Sequence, residues 1–252
     1  MNKAVESRDR TRAILVLIAT IGTIVFNGLA AAGYVNGVTP EVISDKYLTI
    51  LTPAGYAFSI WSLIYLGLIA FSVFQLLPSS FGQFRPIRSL YILTCVFNCA
   101  WIYFFHHDQI GVCLAIILML WGTLLLITIK LTGCATFAET WLVQAPFGIY
   151  FGWVTAAAVV NFMVFLRYLE MPAASSSPVG LVLILVAAAC AVVVRVKLWN
   201  FFYPLAIAWA LTAIAVKQSG DTAIVGSAAL GVVICLVTTG SFVVNLRDST
   251  SE

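Results

Sequence analysis

Eight long apolar runs, separated by short polar breaks, dominate this 252-residue chain. They fall at roughly residues 13–34, 54–77, 88–106, 110–131, 140–166, 179–196, 199–216 and 222–246. A helix needs about 20 predominantly apolar residues to cross the hydrocarbon of a bilayer, and most of the runs reach that length. They are unbroken rather than alternating, which argues against a transmembrane barrel. Lipid offers no hydrogen-bond partners, so each run must satisfy its own backbone as a helix. The expected fold is all-α, a polytopic membrane bundle of about eight helices. The sixth and seventh runs are short and share the tight Arg195–Trp199 connection.

Composition points the same way. Apolar residues make up 62% of the chain and charged residues 9%, against about 25% charge in an average soluble domain. A surface this poor in charge cannot face water, and the mean hydropathy of +1.04 agrees. The net charge of +3 is too small and too scattered for a nucleic-acid partner. Membrane lipid is the expected surrounding.

The few charges set an orientation. Counting alternate loops, Lys3, Arg8, Arg10, Arg12, Arg85, Arg88, Lys130, Arg195, Lys197 and Arg247 fall on one side. Lys46, Arg167 and Lys217 fall on the other. Basic residues favour the cytoplasmic side, so both termini are expected there, in a bacterial inner membrane. The basic N-terminal stretch and the run ending Ala30-Ala31-Ala32 have the outline of a signal peptide. The apolar stretch is longer than a usual signal core and Asn27 interrupts it, so a retained helix is expected.

No charged residue lies near the middle of a run. Ion paths and proton relays usually place one there, so ion-coupled work is disfavoured, and no acid–base pair offers itself for catalysis. The chain is not expected to be an enzyme. The six cysteines, Cys95, Cys99, Cys113, Cys134, Cys190 and Cys235, show no disulfide or zinc spacing. His106 and His107 adjoin at a helix end and point apart, a poor metal site; one of them as an axial haem ligand competes with a solvated terminus.

What remains inside is aromatic and amide chemistry on three helices. Phe58, Trp61, Tyr65 and Ser72 share a face of the second; Tyr91, Thr94, Asn98 and Phe105, with Trp101 beside them, share one on the third. On the fifth, Pro146, Tyr150, Trp153, Ala157 and Asn161 form one face, and Gly148 and Gly152 make a GxxxG pair on the other, suited to close packing. In the assigned orientation Asn27, Trp61, Tyr65, Asn98, Trp101, Trp153 and Asn161 lie between mid-membrane and the outer side. Such a set can line a cavity for a large flat apolar ligand with a few polar atoms, with residues 35–52 as a lid. It can equally mark membrane interfaces and helix–helix hydrogen bonds. Trp121, Trp141 and Trp199 read as interface residues, and Trp209 is left open.

The same residues carry a family resemblance. Pro53-Ala-Gly-Tyr-Ala-Phe-Ser-Ile-Trp61, continuing to Tyr65, is similar to the second helix of the TspO/MBR family, the tryptophan-rich sensory proteins related to the mitochondrial translocator protein. Leu90-Tyr91, Asn98-Cys-Ala-Trp101 and Phe104-Phe105 resemble its third helix, and Tyr150-x-x-Trp153-x₇-Asn161 its fifth. The resemblance runs over roughly residues 10–168. It implies a five-helix unit, residues 1–170, whose pocket under the first loop binds porphyrins, sterols or similar molecules, often in a homodimer. Ligand contacts are then expected from Asn27, Phe58, Trp61, Tyr65, Tyr91, Asn98, Trp101, Tyr150, Trp153 and Asn161. The sequence departs from the pattern at Ala54, at Ile102 and in the position of Pro146. Residues 171–252 add three helices that short members lack.

Three functions compete. The first is a membrane receptor or carrier of a hydrophobic ligand, with a tetrapyrrole (porphyrin or haem) the foremost candidate. The second is an enzyme degrading such a ligand. The third is a docking subunit of a larger membrane complex, using the small-residue face of the last helix (Gly226, Ala228, Ala229, Gly231, Thr238, Thr239, Gly240).

Overall fold

The computed structural model describes residues 3–133 and 136–248; Cys134 lies outside them. Eight long helices carry the chain: α1 (Lys3–Ala31), α2 (Ile60–Phe74), α3 (Arg88–His106), α4 (Ile110–Lys130), α5 (Ala145–Tyr168), α6 (Ser177–Leu198), α7 (Phe202–Lys217) and α8 (Thr222–Asp248). A short helix, Pro40–Lys46, and a 3₁₀ turn, Gly55–Ser59, lie between α1 and α2. This is an integral multi-pass membrane protein. Among the described residues, seven helical segments are long and apolar enough to cross a bilayer.

The seventh run behaves differently. The 16 residues of α7, at 1.5 Å per residue, reach only about 24 Å, short of the roughly 30 Å of hydrocarbon. Its surface explains why so apolar a segment can be short: Ala206, Ile207, Ala210, Leu211, Ala213 and Ile214 are all buried by the protein itself. Proline shapes the fifth run. Pro146 has no N–H to give to the preceding turn, and the backbone there opens into a π-helical turn, Thr140–Gln144, before α5 begins.

The chain forms two compact units. The first comprises Met1–Ile43 with Trp61–Phe147, the second Ser44–Ile60 with Gly148–Glu252. In the first, α3 packs on both α1 and α4. An aromatic cluster of Phe71, Phe84, Tyr91 and Phe147, with ring centroids 4.8–5.9 Å apart, fills its core. One end is tied by ions. The Arg88 guanidinium, fully buried, donates to Asp9 Oδ1 (2.6 Å), Gln75 Oε1 (2.8 Å), the Gln75 carbonyl (3.2 Å) and the Phe81 carbonyl. Arg85 Nε donates to the other Asp9 oxygen at 2.8 Å.

In the second unit α8 packs on α6 and α7, and α6 on α7. Gly148 and Gly152 let α7 approach α5. A Cβ on Gly152 would collide with the Tyr203 carbonyl oxygen and come within 2.9 Å of the Ala206 Cβ; one on Gly148 would strike the Asn200 side chain. The GxxxG face is therefore occupied within the chain. Above it the Tyr203 hydroxyl donates to Thr155 Oγ1 at 2.7 Å. Of the small residues on α8, Ala228 is buried and Gly231 faces Leu211, whereas Gly226 has open space. Asp221 caps α8, accepting from the N–H groups of Ala223 and Ile224 and from the Ser177 hydroxyl. The Ile224 N–H and that hydroxyl hold its carboxyl below the usual carboxylate range.

Candidate functional site

Six of the ten expected ligand residues belong to the first unit and four to the second. In the first, α1 meets α3 through an amide pair. Asn27 Nδ2 donates to Asn98 Oδ1 at 2.8 Å and to the Thr23 carbonyl at 2.9 Å, with Asn98 only 2% exposed. Four residues apart on α2, the rings of Trp61 and Tyr65 stack at 5.4 Å and 20°. Four apart on α3, Trp101 and Phe105 stack at 4.8 Å and 17°. Helical spacing puts such pairs on one face, so each helix presents a continuous aromatic plate. Trp61 and Tyr65 are half-buried, and Trp101 is buried.

Tyr91 takes another part. Its hydroxyl lies 2.6 Å from Thr20 Oγ1, which lies 2.6 Å from Ser72 Oγ, so the three hydroxyls bond one another among apolar helices. Its ring belongs to the aromatic core described above. The structure brings Tyr91 together with Ser72 and Thr20.

In the second unit Phe58 packs edge-on against Trp153, with centroids 6.3 Å apart. Tyr150 and Trp153 are buried. Asn161, also buried, turns its Nδ2 back to the Ala157 carbonyl at 2.8 Å. The histidines part as expected: His106 is buried with Nδ1 2.7 Å from the Ile102 carbonyl, and exposed His107 has Nδ1 2.7 Å from the Tyr103 carbonyl.

The loop before α2 also divides. In the first unit Asn36 Nδ2 donates to the His106 carbonyl at 2.7 Å. In the second, residues 45–57 are bound to the C-terminal half of α7 and to Gln218 just after it. The Ala54 N–H donates to the Ala213 carbonyl (2.9 Å) and Trp209 Nε1 to the Ala57 carbonyl (3.0 Å), with the Trp209 and Tyr56 rings edge-to-face at 5.4 Å. Gln218 Nε2 reaches the carbonyls of Thr49 (3.1 Å) and Thr52 (3.3 Å), and Lys217 pairs with Asp45 at 3.0 Å. Trp209, left open by the sequence, is thus a loop anchor. Gln218 and Lys217 were missed; two polar residues closing an apolar helix were the available signal.

That anchor can be measured. Trp209→Phe keeps a ring and deletes one of the two N–H donors to the Ala57 carbonyl, which keeps that of Ile60, at a cost of roughly 0.5–1.5 kcal/mol. Amide hydrogen exchange over residues 54–60 is expected to quicken at least fivefold while the body of α7 stays protected. Unchanged exchange there would remove Trp209 as the anchor.

A cavity of about 210 Å³ lies in the first unit, lined by Gln83, Phe84, Pro86, Ile87, Lys130 and Leu131 among others. It includes none of the ten residues and is smaller than the roughly 300–1,000 Å³ of a drug-sized ligand site.

No curated protein and no solved structure matches the sequence. The model of one family, described as TSPO-like protein, matches residues 13–242. The match continues through α6, α7 and most of α8, beyond the point near residue 168 where the motif resemblance stops. With nearly the whole chain matched, the protein belongs to the TSPO-like protein family.

Proposed function

We propose that this protein is a membrane receptor or carrier for a large, flat hydrophobic ligand of the tetrapyrrole or sterol class. The observation that carries the reading is the buried Asn27–Asn98 amide pair between α1 and α3 in the first unit, together with the stacked rings of Trp61 and Tyr65 on α2 and of Trp101 and Phe105 on α3. Aromatic plates supply broad contact area, and a few fixed amides orient the polar edge of a mostly apolar molecule. Trp61, Tyr65, Asn98 and Trp101 are the first unit's ligand residues in this reading, with Asn27 bracing Asn98. Phe58, Tyr150, Trp153 and Asn161 are the second unit's. Both termini face the cytoplasm, on the side richer in basic residues.

Protoporphyrin titrated into the purified protein is expected to quench tryptophan fluorescence saturably. The Trp61→Ala, Trp153→Ala double variant is expected to bind at least tenfold more weakly, a loss of about 1.4 kcal/mol or more. The two single variants assign the loss to each unit. Unaltered binding in the double variant refutes the assigned residues, and no quenching of the parent protein by protoporphyrin refutes the tetrapyrrole.

A further inference from the structure

Among the described residues two arginines, Arg88 and Arg195, are buried, and their surroundings differ. Arg88 has acceptors on all three of its nitrogens. Arg195, near the end of α6 and 3% exposed, lies instead against two aromatic rings: its Cζ is 4.1 Å from the centroid of Phe201 and 5.7 Å from that of Trp199. Among the described residues neither its Nε nor its Nη2 has a hydrogen-bond partner. These atoms form one edge of the guanidinium plane, where two parallel N–H donors match two oxygens of a single anion. Ring faces attract the cation, but they give that edge no acceptor. A buried guanidinium with an unused bidentate edge is half of an ion pair.

The setting indicates where the other half comes from. Arg195 lies in the last turn of an apolar membrane-crossing helix, with Lys197 two residues on. Trp199, at the turn, is 53% exposed and held in the left-handed region at φ 55°, which few non-glycine residues adopt. Arginine, lysine and tryptophan at a helix end mark the headgroup level of a bilayer. The alternate-loop count puts this end on the basic side, where anionic lipids gather.

We propose that Arg195 is the centre of a binding site for the phosphate of an anionic phospholipid, with Nε and Nη2 donating to two non-bridging oxygens and the half-exposed Trp199 ring moving to admit the headgroup. The site involves none of the ten ligand residues, so it stands or falls apart from the proposed function.

Full-length protein in neutral detergent would be titrated separately with phosphatidylglycerol, phosphatidylcholine and inorganic phosphate, with thermal unfolding and native mass spectrometry as readouts. Phosphatidylglycerol is expected to raise the unfolding temperature and to be retained at one molecule per chain, with phosphatidylcholine at least tenfold weaker. Arg195→Met is expected to abolish that preference. Arg195→Lys keeps the charge without the planar edge and is expected to weaken retention at least fivefold, while Lys197→Met leaves most of it. Equal retention of both lipids, or phosphatidylglycerol retained undiminished by Arg195→Met and Arg195→Lys, overturns the proposal. A response to inorganic phosphate as large as to phosphatidylglycerol overturns the lipid as the phosphate's source.

Discussion

Arg88→Ala is expected to destabilise the protein by about 3–5 kcal/mol, the cost of leaving the partner of a buried charge pair uncompensated. Asp9 and the Gln75 side-chain and backbone oxygens point at the guanidinium, and Asp9 is itself only 3% exposed. Removing the cation strands all of them. Arg85 still reaches Asp9, but it is partly exposed and satisfies only Oδ2, so it offsets a fraction of the loss. Asp9→Ala strands the cation instead and is expected to cost a similar amount. Arg88→Met together with Asp9→Leu removes both charges at near-constant volume and is expected to recover most of the stability. Thermal unfolding of the three variants in one detergent separates the outcomes. Losses below about 1 kcal/mol for both single variants, the scale of exposed pairs, would mean that the network does not hold the first unit together.

That network shows where sequence reasoning stops. Charges at helix ends are common because long side chains reach for water, so Arg85 and Arg88 carried only an orientation signal and Asp9 none. Their convergence depends on α1 and α3 lying side by side, which no local pattern encodes. The helices themselves were legible because about 20 apolar residues admit few other structures. Asn27 and Asn98 were legible too, since an amide in an apolar run needs a partner; that they partner each other was not. Tyr91 shows a second partner that no spacing reveals. Helical spacing put it on the same face as Asn98, yet depth along α3 carries its hydroxyl to Thr20. Periodicity gives direction around a helix axis and says nothing of the neighbour met at each level.

Gly152→Ala is expected to cost at least 1–3 kcal/mol, the range for overpacking a close contact, and Gly152→Leu more. The added Cβ meets the Tyr203 carbonyl oxygen and the Ala206 Cβ, atoms fixed to the α7 backbone that cannot swing aside as a side-chain tip can. Relief requires α7 to move away from α5, which also breaks the Tyr203–Thr155 hydrogen bond. Gly148→Ala meets the Asn200 side chain, whose Oδ1 accepts from the Phe202 and Tyr203 N–H groups at the start of α7. Displacing it costs about 1 kcal/mol of capping. Gly226→Ala is the control: nothing lies near its Cβ, so the higher helix propensity of alanine leaves stability unchanged or slightly raised. Thermal unfolding ranks the four variants, and sizing in detergent decides what the GxxxG pair is for. If it packs α7 against α5, Gly152→Ala lowers stability at constant oligomeric state. A variant that changes its oligomeric state while unfolding like the parent would transfer the pair to an interface between chains.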